Sequence, residues 1–407
     1  MVEKFIGLAS FFLVLLAYVF SLSWMYVTRN PIASEAGCGW DGHYYCLMFI
    51  GEEAIEPFSR RIFPPMLARF FSTDPNTAFL LMNIVSMIII GIVTTFLVFK
   101  NSQNHKYALV ASVTLACVIS TSRNTFHNFI NSPILTDYVG LACAVLFLLG
   151  VWLMTNGRRK MARLMGFLLT LPCMVAGTLS REALAVAFTA GLIPLIFWRQ
   201  TRIYGLMSLL ASVLIFYYVI ATSNAGSSLE VILFWINSYF SSTISALKFF
   251  VMILLSVGVW PFFVYHNLRS VRKFPFKLAV LSFGTSLFAI SIFGGGNLDR
   301  ILLPVGVTFA FLAAINLNSA LQVTAFLLAG IGYIVSQYPT YIIQPGFANF
   351  LGFTDIWHSA TLSEFMNFGI GALLLGLPFT LSAILIMILD KRGFAVEINL
   401  KRIKNCP

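Results

Sequence analysis

The chain has 407 residues, of which 59% are apolar and only 10% charged, with a mean hydropathy of +0.88 and a formal net charge of +11. That balance excludes a soluble globular domain, in which about 25% of residues are charged. The basic excess does not read as a nucleic-acid footprint, because the lysines and arginines are scattered over separate short segments with no interleaved aromatic platform.

A helix in lipid must satisfy its own backbone groups and needs about 20 mainly apolar residues to cross. Apolar runs lie near 5–27, 79–99, 107–122, 136–155, 164–180, 183–197, 204–222, 246–265, 278–292, 301–315, 322–337 and 367–389. The expected fold is all-α: a polytopic integral membrane protein of about 12 transmembrane helices, forming a single transmembrane domain over 1–407. Several runs are short, so tilted, broken or re-entrant helices are expected among them. The first run follows Lys4 and is too long for a cleaved signal peptide, which makes it a retained signal anchor. No soluble domain, linker or repeat is expected.

Orientation follows from the short loops, where Lys and Arg are retained on the cytoplasmic side. One set of connections holds Lys4, Lys100, Lys106, Arg158, Arg159, Lys160, Arg163, Arg199, Arg202, Arg269, Arg272, Lys273, Lys277, Lys391, Arg392, Lys401, Arg402 and Lys404, which is 18 of the 26 basic residues. Both termini are therefore expected in the cytoplasm. The opposite face receives Glu35, Asp41, Glu52, Glu53, Glu56, Asp74, Asp137, Glu182, Glu230, Asp299, Asp355 and Glu364, or 12 of the 15 acids. No Asn-x-Ser/Thr acceptor occurs, which fits a bacterial inner membrane.

The outer loop after the first run, 28–78, is the longest polar insertion. It carries Gly39-Trp40-Asp41-Gly42-His43-Tyr44-Tyr45 and then Pro57-Phe58-Ser59-Arg60-Arg61-Ile62-Phe63-Pro64-Pro65. Cys38 and Cys46 flank the first segment, where an oxidising compartment would permit a bridge; two unrelated thiols are the alternative. Cys117, Cys143 and Cys173 fall inside apolar runs and read as inert small residues. Glu52, Glu53 and Glu56 read as the solvated side of an amphipathic interfacial helix, and Asp74-Pro75 as a helix start.

Further outer clusters follow in chain order. Arg123, His127, Asn128 and Asp137 come after the third run, Arg181-Glu182 after the fifth, and Asp299-Arg300 after the ninth. A late loop, 338–366, holds Trp357 and could meet an acceptor. Ionisable groups at the membrane boundary cost several kcal/mol, of order 2.5–3.5 on insertion scales, unless paired or solvated. The bland reading is that Arg181-Glu182 and Asp299-Arg300 are neighbouring charges that neutralise each other, and that Trp40, Tyr44 and Tyr45 belong to the interfacial aromatic belt. Four clusters on one face favour a shared outer cavity instead.

An Asp just after the first span in a Trp-Asp-Gly-x-Tyr-Tyr setting, then Arg-Arg-Ile-x-Pro-Pro, resembles the GT-C superfamily of polytopic glycosyltransferases. Thr136-Asp137-Tyr138, Ser180-Arg181-Glu182 and Asp299-Arg300 with Pro304 are similar to pieces of bacterial members, so the likeness covers roughly residues 1–305. The resemblance implies a GT-C-like fold, a polyprenyl-phosphate-linked sugar donor and the first-loop acid as catalytic base, here Asp41. The neighbours of Asp41 are Trp40 and Gly42 rather than a second acid, which argues against a metal-dependent version.

The chemistry fits independently. Displacement at an anomeric carbon needs a base on the acceptor hydroxyl, for which Asp41 leads. The departing lipid phosphate suits forked guanidinium donors, for which Arg60, Arg61, Arg181, Arg300 and Arg123 are candidates. Trp40, His43, Tyr44, Tyr45, His127 and Asn128 suit sugar hydroxyls, while Asp137, Glu182 and Asp299 are further acids at the substrate or counter-ions to the arginines. No cofactor is expected; a divalent metal on Asp41, Asp137, His43 and His127 is the less favoured option, the spacing being nonspecific. The expected reaction is inverting sugar transfer to a glycan or lipid-linked acceptor, with membrane lipids as surroundings. An O-antigen-type polymerase or ligase, favoured by the late loop, and a lipid or glycan flippase are the alternatives.

Overall fold

The computed structural model describes residues 11–20, 41–54, 58–102, 104–121, 137–157, 159–221, 237, 240–291, 298–337 and 370–391. Among these the chain is all-helical. Each apolar run anticipated from sequence carries a helix in its described part: α1 (Phe11–Phe20), α4 (Pro75–Asn101), α5 (His105–Ser120), α6 (Asp137–Asn156), α7 (Lys160–Thr178), α8 (Ala183–Ile196), α9 (Arg202–Ala221), the pair α10 (Thr243–Val257) and α11 (Trp260–His266), α13 (Pro275–Ser291), α14 (Leu298–Ala314), α15 (Ala320–Gln337) and α16 (Gly371–Lys391). Three short helices join them: α2 (Asp41–Ile50), α3 (Phe63–Ala68) and α12 (Leu268–Lys273).

By length and composition 5 of the described helices can cross a membrane, or 6 if the bent pair α10–α11 is one span. Six further described helices have apolar stretches of 10–17 residues. The protein is therefore described as membrane-type, with a surface to match. On α9, Leu206, Leu210, Leu214, Tyr217 and Tyr218 all lie exposed, a stripe that would be untenable in water but is an ordinary lipid-facing surface.

Without a hydrophobic drive between helices in lipid, close backbone approach supplies the packing. Helix α6 is the most enclosed of the crossing helices and lies against α7 through Gly150 and Gly166. A Cβ on Gly166 would fall 2.6 Å from the Gly150 carbonyl, so no larger residue fits that crossing. The same device joins α15 to α16, where a Cβ on Gly376 would meet the Gly332 carbonyl at 2.5 Å. Aromatic side chains fill the core between α6, α8 and α13, with Phe147, Phe188 and Phe283 in mutual ring contact.

The bend between α10 and α11 is 66° and has a local cause. Gly258 adopts φ +65°, which stops α10, and Pro261 in the first turn of α11 restarts the helix where its missing N–H is not needed. Broken helices are expected among the short runs, but this break falls in the full-length run 246–265.

Candidate functional site

Helix α4 begins as the sequence suggested. Asp74 is its N-cap, accepting hydrogen bonds from the Thr77 N–H at 2.8 Å and hydroxyl at 2.7 Å, and Pro75 opens the first turn. The Thr77 hydroxyl and N–H hold the Asp74 carboxyl below its ordinary range. Helix α2, by contrast, ends on Gly51 at φ +97°, with the Glu52 N–H reaching the Leu47 carbonyl at 2.8 Å and the Gly51 N–H that of Met48 at 3.3 Å, a Schellman closure. Residues 52–54 are consequently not helical, which corrects the expectation of an amphipathic helix over Glu52 and Glu53; Glu56 lies outside the described residues. Both described acids are exposed, so their reading as solvated charges stands.

Arg69 donates to the carbonyls of Phe49 and Met48, each at 2.6 Å, and so caps the C-terminal end of α2. Tyr45 and Phe49, one turn apart, are buried against Phe79 of α4. Helix α2 is thereby pinned to the bundle at its far end, and Asp41 occupies its first position, one turn before Tyr45. A negative charge is favoured at that end of a helix.

The arginine pair after α2 is used unequally. Arg61 donates through Nε to both carboxylate oxygens of Glu182 and through Nη2 to one of them, all at 3.3 Å, while Nη1 reaches the Tyr45 hydroxyl at 3.4 Å. Its guanidinium also lies 5.3 Å from the centre of the Phe58 ring, on which Tyr44 stacks at 4.7 Å. Burial opposes the charge on Arg61, but Glu182 and Tyr45 outweigh it and hold the pKa above the ordinary arginine value. The Phe63 N–H, donating to the Leu179 carbonyl at 3.4 Å, adds a backbone link to the same turn. The first outer loop is thus stapled to the tight α7–α8 turn.

Arg181, on that turn, pairs with Asp137 at the first position of α6. Asp137 is 2% exposed, and Gly140 one turn later faces the Arg181 stem. The neighbouring charges Arg181 and Glu182 therefore do not neutralise each other. Each reaches across to a different element, so the turn clamps α2–α3 on one side and α6 on the other.

Three of the outer clusters read from sequence are thus brought together: helix α2 with His43, Tyr44 and Tyr45 and the segment after it with Arg60 and Arg61, the start of α6 with Asp137, and the α7–α8 turn with Arg181 and Glu182. His43 is exposed and meets Tyr44 edge-on. Asp299 and Arg300 belong to the first turn of α14, without described side chains. Trp40, Arg123, His127, Asn128 and Trp357 lie outside the described residues, as does the Asp41 side chain. Cys46 is disulfide-bonded, to a cysteine outside the described residues, whereas Cys117, Cys143 and Cys173 are free. Among the described residues no three His, Cys, Asp or Glu side chains gather as a metal site.

Sequence reasoning missed Phe58, which seats both Tyr44 and Arg61, and the Leu179 carbonyl. An aromatic two positions before paired arginines was the available signal for the first; nothing in a sequence marks a carbonyl. Comparison with known proteins finds no matching family model, no matching curated protein and no matching solved structure.

Proposed function

We propose that this chain is a membrane glycosyltransferase of GT-C type, moving a sugar from a polyprenyl-phosphate donor to a glycan or lipid-linked acceptor on the extracytoplasmic face. The observation that carries the reading is the joining of the Asp41 helix to the Arg61–Glu182 and Arg181–Asp137 pairs at one end of the bundle. In this reading about twelve helices cross the membrane, the shorter ones tilted, with both termini cytoplasmic and the site facing the periplasm of a bacterial inner membrane. A disulfide at Cys46 supports an oxidising side for α2, and Cys38 is its natural partner.

Asp41 takes the proton of the acceptor hydroxyl as that oxygen attacks the anomeric carbon, and the bond to the lipid phosphate breaks with inversion. Arg181, Arg300, Arg60 and Arg123 are the groups for the phosphate charge. Arg61, with its donors directed to Glu182 and Tyr45, is a positioning residue that fixes the loop after Asp41. The donor ester supplies the driving force, so no nucleotide is needed, and Trp40 and Gly42 beside Asp41 favour a scheme without metal. Trp40, Tyr44, His43, His127 and Asn128 line the sugar side.

The flippase reading has one observation in its favour, the helix broken at Gly258, because discontinuous helices mark transport sites. The polymerase or ligase reading keeps only the late loop. The experiment that separates them presents membranes containing the protein with a panel of labelled polyprenyl-phosphate sugars. Transfer of label to an acceptor supports the proposal; label that changes leaflet without leaving its lipid supports the flippase.

A further inference from the structure

Helix α12 turns the chain between α11 and α13, and it presents one side outward. The Asn267 carbonyl accepts from the Ser270 and Val271 N–H groups at 2.9 and 3.1 Å, and Val271 is fully buried. Arg269, Arg272 and Lys273 are all exposed. Phe274, at φ −119° and ψ 123°, ends α12 in the extended backbone that a following proline favours. Tyr265 and Phe274, 70% and 51% exposed, flank the three cations. Exposed aromatics beside exposed cations belong at the level of lipid headgroups.

The charge here has no internal answer. No Asp or Glu occurs in 231–298, and among the described residues Arg269, Arg272 and Lys273 make no side-chain hydrogen bond or ion pair. Asp390, which acts on His266 of α11, is offset there by Lys391, and its oxygens accept from the Ser319 hydroxyl at 2.9 Å and the Gln322 amide at 2.8 Å.

A second observation is a buried cation. Lys277, in the first turn of α13, is only 9% exposed, and its ammonium donates to Asn316 Oδ1 at 2.7 Å. The Asn316 amide is fixed in that orientation because its Nδ2 donates to the Leu312 carbonyl at 2.6 Å. Lys277 has two further N–H donors, and among the described residues neither has an acceptor. Its Nζ stands 5.0 Å from the centre of the half-exposed Phe274 ring, so the charge reaches the α12 elbow. A buried cation whose only hydrogen-bond partner is a neutral amide is costly, which points to an anion supplied from outside the chain.

We propose that the α12 elbow is a site for the phosphate of an anionic membrane phospholipid. Arg269, Arg272 and Lys273 draw in the headgroup, Lys277 answers its charge, and Phe274 and Tyr265 meet the start of its acyl chains. A free inorganic phosphate would leave those aromatics without a partner. The site lies at the end of α14 away from Asp299 and Arg300, which form that helix's first turn, and it does not rest on the transferase reading.

The test titrates the detergent-solubilised full chain with phosphatidylglycerol or with phosphatidylcholine of the same acyl chains, counting bound lipid by native mass spectrometry. The parent should prefer phosphatidylglycerol. Arg272→Gln with Lys273→Gln should lower its affinity about tenfold or more and leave phosphatidylcholine unchanged. Arg159→Gln with Lys160→Gln removes the same charge from another exposed basic segment and should change the affinity less than about twofold. Lys277→Met keeps the stem and should extract intact, yet phosphatidylglycerol should no longer raise its thermal transition as it does in the parent. Equal losses in the two double variants, lipid protection that survives Lys277→Met, or displacement of phosphatidylglycerol by millimolar inorganic phosphate would each overturn the proposal.

Discussion

At the scale of the residue, the candidate site turns on which charges are partners. In sequence Arg181 and Glu182 stand side by side, and mutual neutralisation is the simplest reading; in space they serve two different ion pairs. A sequence holds no signal for that, because the partner of Glu182 lies 121 positions away. Removing one member of a part-buried pair leaves the other short of its hydrogen bonds, so Glu182→Gln should cost about 1–3 kcal/mol in thermal unfolding of the detergent-solubilised protein. The exchange Arg61→Glu with Glu182→Arg should recover part of that loss, whereas either single reversal should not. Arg181→Lys keeps charge but loses the fork, so in the proposed reaction it should depress use of the lipid-phosphate donor more than it lowers stability. Equal losses in both would remove Arg181 from leaving-group duty.

Asp74 gives the corresponding pH prediction. Its folded carboxyl titrates below the ordinary value because Thr77 donates to the ionised form. The contribution of this cap is therefore fully present above the unfolded pKa and is lost only as pH falls through the lower folded value. Asp74→Asn should leave thermal stability at neutral pH slightly lowered and should remove this part of the acid dependence. An unchanged acid limb would show that other carboxylates govern it.

Among the elements, helix existence was legible and helix continuity was not. Apolar runs of membrane length announce themselves by hydropathy, and Asp74-Pro75 announces the start of α4 by capping chemistry. The stretch after α2 deceived because its acids suit an amphipathic helix, yet Gly51 at positive φ had already closed the helix with its own hydrogen bonds. The break at Gly258 was hinted at only by the Gly-Val-Trp-Pro order at 258–261, since glycines are common in membrane helices for packing reasons too. Crossings at Gly150–Gly166 and Gly332–Gly376 are invisible to hydropathy and decide which helices are neighbours. Gly166→Leu should separate α6 from α7 and destabilise by about 1–3 kcal/mol or more, read as a lowered thermal transition in detergent.

For the whole molecule, composition alone placed the chain in a membrane, and the asymmetric charge distribution proposed its orientation. The all-helical build and the exposed apolar surface agree with the first. The second is open to cysteine labelling: single cysteines at Lys106 and Arg272 should be protected from a membrane-impermeant reagent in intact cells, and one at Glu53 should react. The reverse pattern would invert the topology and with it the side on which the charged cluster operates. Three outer clusters meeting at one end also depend on long-range packing that no local motif encodes, which is why their shared location could be anticipated but their pairing could not.

The most direct measurement is transfer of labelled sugar from the polyprenyl-phosphate panel by membranes carrying either the parent chain or Asp41→Asn. The account predicts transfer by the parent and a loss of at least about a hundredfold with Asn, the range expected for removing a general base, in protein that still inserts and extracts intact. Parental transfer that persists undiminished in Asp41→Asn would contradict the assignment of the base, and the absence of transfer from every donor would contradict the reaction itself.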